Sequence, residues 1–247
     1  MVNSNILPTL ILTGDGSHTL RYGPNGPTFH SLHGAVTESR HIYQGAGLLY
    51  ALQTMRWSKS RARGNGVLRI LEIGLGTGLN AALVLETCRE SSMDLAIEYT
   101  ALEPQPLDPV VVSSINYGTY LRSEAWTDWS KAYPQIWASM GHDGCAEWSP
   151  FAGQGSCHFK LWKDAWPVVL GECFDLVFWD AFGPGEAPEL WDGTTWSALD
   201  RVTESGAVMV TFGASGALGR ALKNLGWEVQ RLPGPPGKRE MIRAKKP

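Results

Sequence analysis

The sequence predicts an α/β fold: a Rossmann-like, mostly parallel sheet with helices on both faces, closed by a C-terminal antiparallel hairpin and preceded by an N-terminal β-hairpin and helix extension. Three observations carry this. Short apolar runs alternate with helix-forming stretches, as parallel strands with crossover helices do. The first of these runs opens into a glycine loop at a helix start. The last two β-rich runs, "WEVQRL" and "EMIRA", are joined by "PGPPGKR", too short for a crossover helix, so they pair antiparallel.

In chain order, "TLILT" and "HTLRY" flank an Asp-Gly pair and read as a hairpin. The stretch "AVTESRHIYQGAGLLYALQTM" has helical spacing at Val36, Ile42, Leu48, Leu49 and Leu52, weakened by Gly45 and Gly47. "GNGVLRILEIGLGTG" is a strand running into the glycine loop, and "LNAALVLETC" is the helix after it. "LAIEYTALEP", "CFDLVFWDAF" and "GAVMVTFGA" are further buried strands. Nine of the eleven tryptophans fall between Trp126 and Trp196, a stretch read in part as an elaboration between strands. The expected organisation is one domain over 1–247, with 1–65 an extension packed on its core.

A 43% hydrophobic and 18% charged chain of 247 residues is ordinary for a soluble globular protein. It contains no apolar run of membrane-span length, and its N-terminus lacks a basic region ahead of a long apolar one, so a cytoplasmic protein is expected. Cys88, Cys145, Cys157 and Cys173 form no C-x-x-C pair and read as four free structural thiols, with no metal site expected. The net charge of −3 is uneven: eight Lys/Arg and two Asp/Glu lie between Arg220 and Pro247. A second basic cluster comprises Arg56, Lys59, Arg61, Arg63 and Arg69. Local patches rather than net charge contact phosphate, although a solvated surface is the simpler reading of either cluster.

The chemistry gathers at predicted strand ends. Glu72-Ile73-Gly74-Leu75-Gly76-Thr77-Gly78 exposes backbone amides at a helix N-terminus. A nicotinamide-dinucleotide fingerprint would need glycine at 79, where this chain has Leu79. Glu103 ends the second strand, where a carboxylate can accept both ribose hydroxyls of an adenosine. Asp164, in "LWKDAW", lies near the end of another strand. Asp180 ends the fourth parallel strand on the glycine-loop edge and opens "DAFGPGEAPELW". There it can recruit a protonated amine, with an ion pair contributing on the order of 4 kcal/mol before desolvation. Phe182 and Trp191 flank that loop as candidates to stack on a base, while Trp179 reads as core.

The spacing E-x-G-x-G-x-G resembles motif I of class I S-adenosylmethionine-dependent methyltransferases. That resemblance implies a cofactor site formed by Glu72, Gly74, Gly76, Gly78 and Glu103, with Asp164 at the adenine amino group. More specifically, "FHSLHGAVTESRHIY", "LEIGLGTGLN", "LEP", "DAFGPGEAPELW", "GAVMVTF" and "LPGPPGKREMIRA" resemble the methyltransferase part of the bifunctional tRNA 5-methylaminomethyl-2-thiouridine enzymes, and stand-alone versions of it especially. The resemblance implies methylation of the aminomethyl group on the wobble uridine of the tRNA anticodon loop, with Asp180 holding the acceptor nitrogen. Lys238 and Arg239, in the hairpin turn, would then face RNA phosphate. His30, Ser31 and His33 fall in a matching block and read as structural. The flavin-dependent oxidase part of such enzymes has no counterpart in these residues. The pattern departs from the family at Ser215 and near Gly219, where it places basic residues, and at Ala187, where Asn or Gln is expected. Two other readings remain: an aminopropyltransferase of the spermidine-synthase type, and a non-catalytic S-adenosylmethionine- or RNA-binding module.

Overall fold

The computed structural model describes residues 8–54, 66–91, 96–122, 124–151, 156–167, 171 and 173–247. Four members of the second basic cluster, Arg56, Lys59, Arg61 and Arg63, lie outside the described residues. The fifth, Arg69, pairs with Glu98 at 2.8 Å.

The chain opens with the hairpin of β1 (Thr9–Leu12) and β2 (His18–Arg21). A continuous helix follows over 35–54, in which the segments α1 (Ala35–Ser39) and α2 (Tyr50–Thr54) flank a π-helical segment, Arg40–Leu49. Of the two glycines that weaken the helical pattern, Gly47 has a packing reason. A Cβ on Gly47 would stand 2.8 Å from Val210 and 3.0 Å from Phe178, so only glycine lets this helix approach the sheet so closely.

The remaining strands are β3 (Val67–Ile73), β4 (Ala96–Leu102), β5 (Cys145–Phe151), β6 (Cys157–Trp162), β7 (Phe174–Trp179), β8 (Thr203–Thr211), β9 (Glu228–Pro233) and β10 (Glu240–Lys245). They form an eight-stranded sheet in the order β5-β6-β4-β3-β7-β8-β10-β9. The strands from β6 to β8 are parallel, β5 is antiparallel to β6, and β10 is antiparallel to both β8 and β9. Thus β9 runs in the direction of β8, and the turn after it emerges on the edge where β3, β4, β6 and β7 end.

Helices cover both faces. The 35–54 helix, α3 (Leu79–Glu90) and α5 (Ala125–Ala138) share one core cluster, and α6 (Gly193–Arg201) and α7 (Gly216–Asn224) share the other. A short α4 (Pro109–Ser113) links β4 to α5. Burial on both sides makes β7 and the end of β3 apolar without alternation. The tryptophan-rich stretch is core filler: Trp129 of α5 packs on Trp148 of β5 and Phe159 of β6, with centroids at 5.9 and 5.7 Å. Within β5, Pro150 is tolerated because the strand lies at the sheet edge.

The expectation of four free thiols is corrected. Cys88 at the end of α3 and Cys157 at the start of β6 form a disulfide, while Cys145 and Cys173 lie outside it. The register of β6 on β4 sets Cys157 opposite Ile97 and brings it to Cys88, a proximity that a sequence separation of 69 conceals. No helix among the described residues is long and apolar enough to cross a membrane.

Candidate active site

Backbone hydrogen bonds lock the strand ends together at one edge. Gly74 donates to the Leu102 carbonyl at 3.0 Å, Glu103 to Trp162 at 2.9 Å, and Asp180 to Ile73 at 3.0 Å. The glycine loop, Glu103 and Asp180 are therefore adjacent, and Asp164 lies two residues beyond β6 on the same edge.

The loop requires its glycines. Gly74 has φ +87°, and a Cβ there would stand 2.9 Å from the Asp180 carbonyl oxygen. Gly76 and Gly78 also have positive φ, and a Cβ on Gly78 would collide with the Trp129 indole. Glu103 accepts the Gly76 N–H on Oε2 and the Gln105 N–H on Oε1, both at 2.9 Å. Its carboxyl group is raised by burial, with these two N–H donors opposing. Asp164 is exposed and accepts the Ala165 N–H at 2.7 Å. Glu72 is fully buried and turned inward, held by Asn80 Nδ2 at 2.8 Å and the Tyr99 hydroxyl at 2.6 Å. It props the loop from below, and burial with the neighbouring Asp180 charge lifts it well above the usual carboxylate range.

Asp180 is held from two sides. The Tyr43 hydroxyl donates to Oδ1 at 2.6 Å, and Asn80 Nδ2 donates to Oδ2 at 2.7 Å. Burial pushes its carboxyl group up to about 7; the Tyr43 and Asn80 hydrogen bonds and the Lys238 charge pull the other way, while the Glu38 charge adds to the rise. Around it, Phe182 meets Phe29 edge-on at 5.4 Å, and the Trp191 indole N–H donates to the Phe182 carbonyl at 2.7 Å. Trp191 also packs on Trp196 and Phe212, so it braces the loop. Trp179 is fully buried, as read from the sequence.

The turn after β9 reaches this edge, but its two basic residues differ. Arg239 is exposed. Lys238 folds back: its Nζ lies 2.7 Å from Oε1 of buried Glu38 and 3.9 Å from the centre of the Phe212 ring. His33 packs against Gly237 of the same turn. His30 is buried, donates its backbone N–H to Thr19, and is pushed down to about 4, chiefly by burial. Ser215, one departure from the family pattern, caps α7 by accepting the Leu218 N–H at 3.1 Å.

Residues 155–247 match the model of a family described as S-adenosyl-L-methionine-dependent methyltransferase. The bifunctional protein MnmC of tRNA 5-methylaminomethyl-2-thiouridine biosynthesis from Ralstonia nicotianae is 24% identical over 96% of this chain and 34% of its own length. Its counterpart from Pseudomonas aeruginosa is 28% identical over 88% of this chain and 32% of its own length. A crystal structure of MNMC2 from Aquifex aeolicus superposes with a TM-score of 0.68 at 21% identity, covering 97% of this chain and 71% of that one. Over most of its length the chain is similar in sequence to these MnmC proteins and in fold to the MNMC2 structure. It spans about a third of the length of the curated MnmC relatives it matches.

The family matched over residues 155–247 is described as S-adenosyl-L-methionine-dependent, and the residues present fit that cofactor. The loop glycines leave no side chain over the backbone, and each Glu103 oxygen accepts one N–H and keeps a lone pair for a ribose hydroxyl. Tyr43, Asn80 and Glu38 complete the site without having been singled out in the sequence. Asn80 lies in the first turn of the helix that opens at the glycine loop.

Proposed function

We propose that this chain methylates the amine of 5-aminomethyl(-2-thio)uridine at the wobble position in the anticodon loop of tRNA. Carrying the proposal is the Asp180 carboxylate, fixed by Tyr43 and Asn80 beside the glycine loop. The printed name of the curated relatives supports the choice of RNA and nucleoside. On this reading 1–247 works as one methyltransferase domain in the cytoplasm.

The acceptor amine arrives as an ammonium and must lose a proton before its lone pair can react. An ordinary aspartate near pH 7 is too weak a base to take that proton. Asp180, raised to about 7, can accept it on an oxygen whose direction the two neighbours fix. S-adenosylmethionine, when bound, would supply the methyl group from its sulfonium to the amine lone pair and leave as the neutral thioether. Glu103 and Asp164 would hold the adenosine portion; Phe182 and Trp191 would border the base. Arg239 would meet RNA phosphate, with Lys238 joining once it leaves Glu38.

Nucleoside mass spectrometry tests this, using S-adenosylmethionine and tRNA with or without 5-aminomethyluridine. The expected result is one methyl gained on the aminomethyl nucleoside alone. Asp180→Ala should lower the rate by about 10²-fold or more while S-adenosylhomocysteine affinity changes little. Cofactor binding without methylation would refute the proposal and leave the polyamine or binding-module readings.

A further inference from the structure

In the free protein a primary ammonium already sits at Glu38, close enough for its charge to act on Asp180. Lys238 Nζ lies 2.7 Å from Glu38 Oε1 and 3.9 Å from the centre of the Phe212 ring. A carboxylate on one side and an aromatic face on the other is how proteins hold an alkylammonium. The Glu38 side chain is only 7% exposed, and its second oxygen accepts the Ser31 N–H at 2.7 Å, so this carboxylate is fixed in place. Tyr43, five residues further along the same continuous helix, feels the Glu38 charge and holds Asp180. Phe212 in turn packs on Trp191, which is bonded to the loop carrying Phe182. The cation that fills this arrangement is itself on a surface turn, 29% exposed, with Arg239 next to it.

We propose that Glu38 and the Phe212 ring form the ammonium seat of the acceptor site, held by the Lys238 side chain until RNA arrives and then yielded to the substrate amine. This deepens the function proposed above and rests on it. RNA phosphate at the turn gives Lys238 a better partner in solvent, and the swing leaves a buried carboxylate uncompensated. Such a charge is costly to leave alone, so the site then selects a cation. The incoming alkylammonium restores the balance, and Asp180 takes its proton. A uridine lacking the amine gains nothing by entering. In this arrangement Lys238 couples RNA arrival to opening of the amine subsite.

The test is equilibrium binding of two anticodon stem-loop RNAs, identical except for 5-aminomethyluridine or plain uridine at the wobble position, with S-adenosylhomocysteine present. Wild type should prefer the amine RNA by about tenfold or more. Glu38→Gln should reduce that preference to about twofold with the plain RNA bound as before. Phe212→Leu, which leaves the buried carboxylate intact, should reduce it several-fold. Lys238→Met should weaken both RNAs and lower the slope of log affinity against log salt by about one. An unchanged preference in Glu38→Gln, or equal weakening of both RNAs there, overturns the seat. An unchanged salt slope in Lys238→Met overturns the exchange onto phosphate. If wild type itself binds both RNAs equally, the aminomethyl substrate falls, and the seat with it.

Discussion

On the proposed reading, Asp180 acts as a base only because of what surrounds it. A strand-end aspartate in water would stay ionised near neutral pH and have little affinity for a proton; burial raises this one to about 7. The Tyr43 hydroxyl limits the rise by donating to the ionised form. Removing it therefore pushes the carboxyl group higher, and a base must be unprotonated to act. Tyr43→Phe should shift the rise of kcat/KM with pH to a value above 7 while leaving cofactor affinity unchanged. A pH profile that superposes on wild type would show that Tyr43 does not tune Asp180. Asp180, Glu103 and the glycines were legible because each ends a strand or opens a helix, and such positions announce themselves locally. Tyr43, Asn80 and Glu38 were not. Their partners lie far along the chain, 137 residues away for Tyr43 and 100 for Asn80, and nothing local marks a hydrogen bond of that separation.

Among elements, the segment that begins at Ala35 matters most, because it delivers both Glu38 and Tyr43. Its start is held by Asp15 of the preceding hairpin, which accepts the Thr37 N–H at 2.9 Å and also the Ser17 N–H and hydroxyl. Burial opposes the charge on Asp15, but the bonds from Ser17 and Thr37 outweigh it and lower the carboxyl group from 3.8 to about 2. Its contribution to stability is thus complete above about pH 4 and fades as the pH falls toward 2. Asp15→Ala should cost about 1–2 kcal/mol at pH 7, as the loss of a helix cap does. The gap from wild type should narrow in denaturation curves at pH 3. A loss of the same size at both pH values would place its origin elsewhere. From sequence the helix was visible through its apolar spacing, but its π-helical winding was not. Gly47 looks like a helix-weakening residue until the sheet it approaches is known. β5 escaped notice for a similar reason: only its edge position excuses Pro150.

For the whole molecule, the two core layers and the C-terminal hairpin were readable from alternation and connection length alone. The Cys88–Cys157 bridge was not, because spacing carries no signal for a contact made by sheet register. A cofactor that binds only the folded state raises stability by mass action, about 2.7 kcal/mol at a concentration one hundred times its Kd. For a chain of this size that corresponds to roughly 5–10 °C in Tm. S-adenosylhomocysteine should give such a shift in wild type, and at the same concentration little or none in Glu103→Ala. An equal shift in both would remove Glu103 from the ribose site. The sheet order has one more consequence. β9 touches the sheet only through β10, which follows it in the chain. Until β10 pairs between them, β8 presents an open edge and β9 has no strand partner in the sheet. Lys238 precedes that strand by two residues, so the turn bearing it is fixed at Glu38 only after the rest of the sheet exists. The contact between Lys238 and Glu38 thus depends on a strand that pairs on both of its sides.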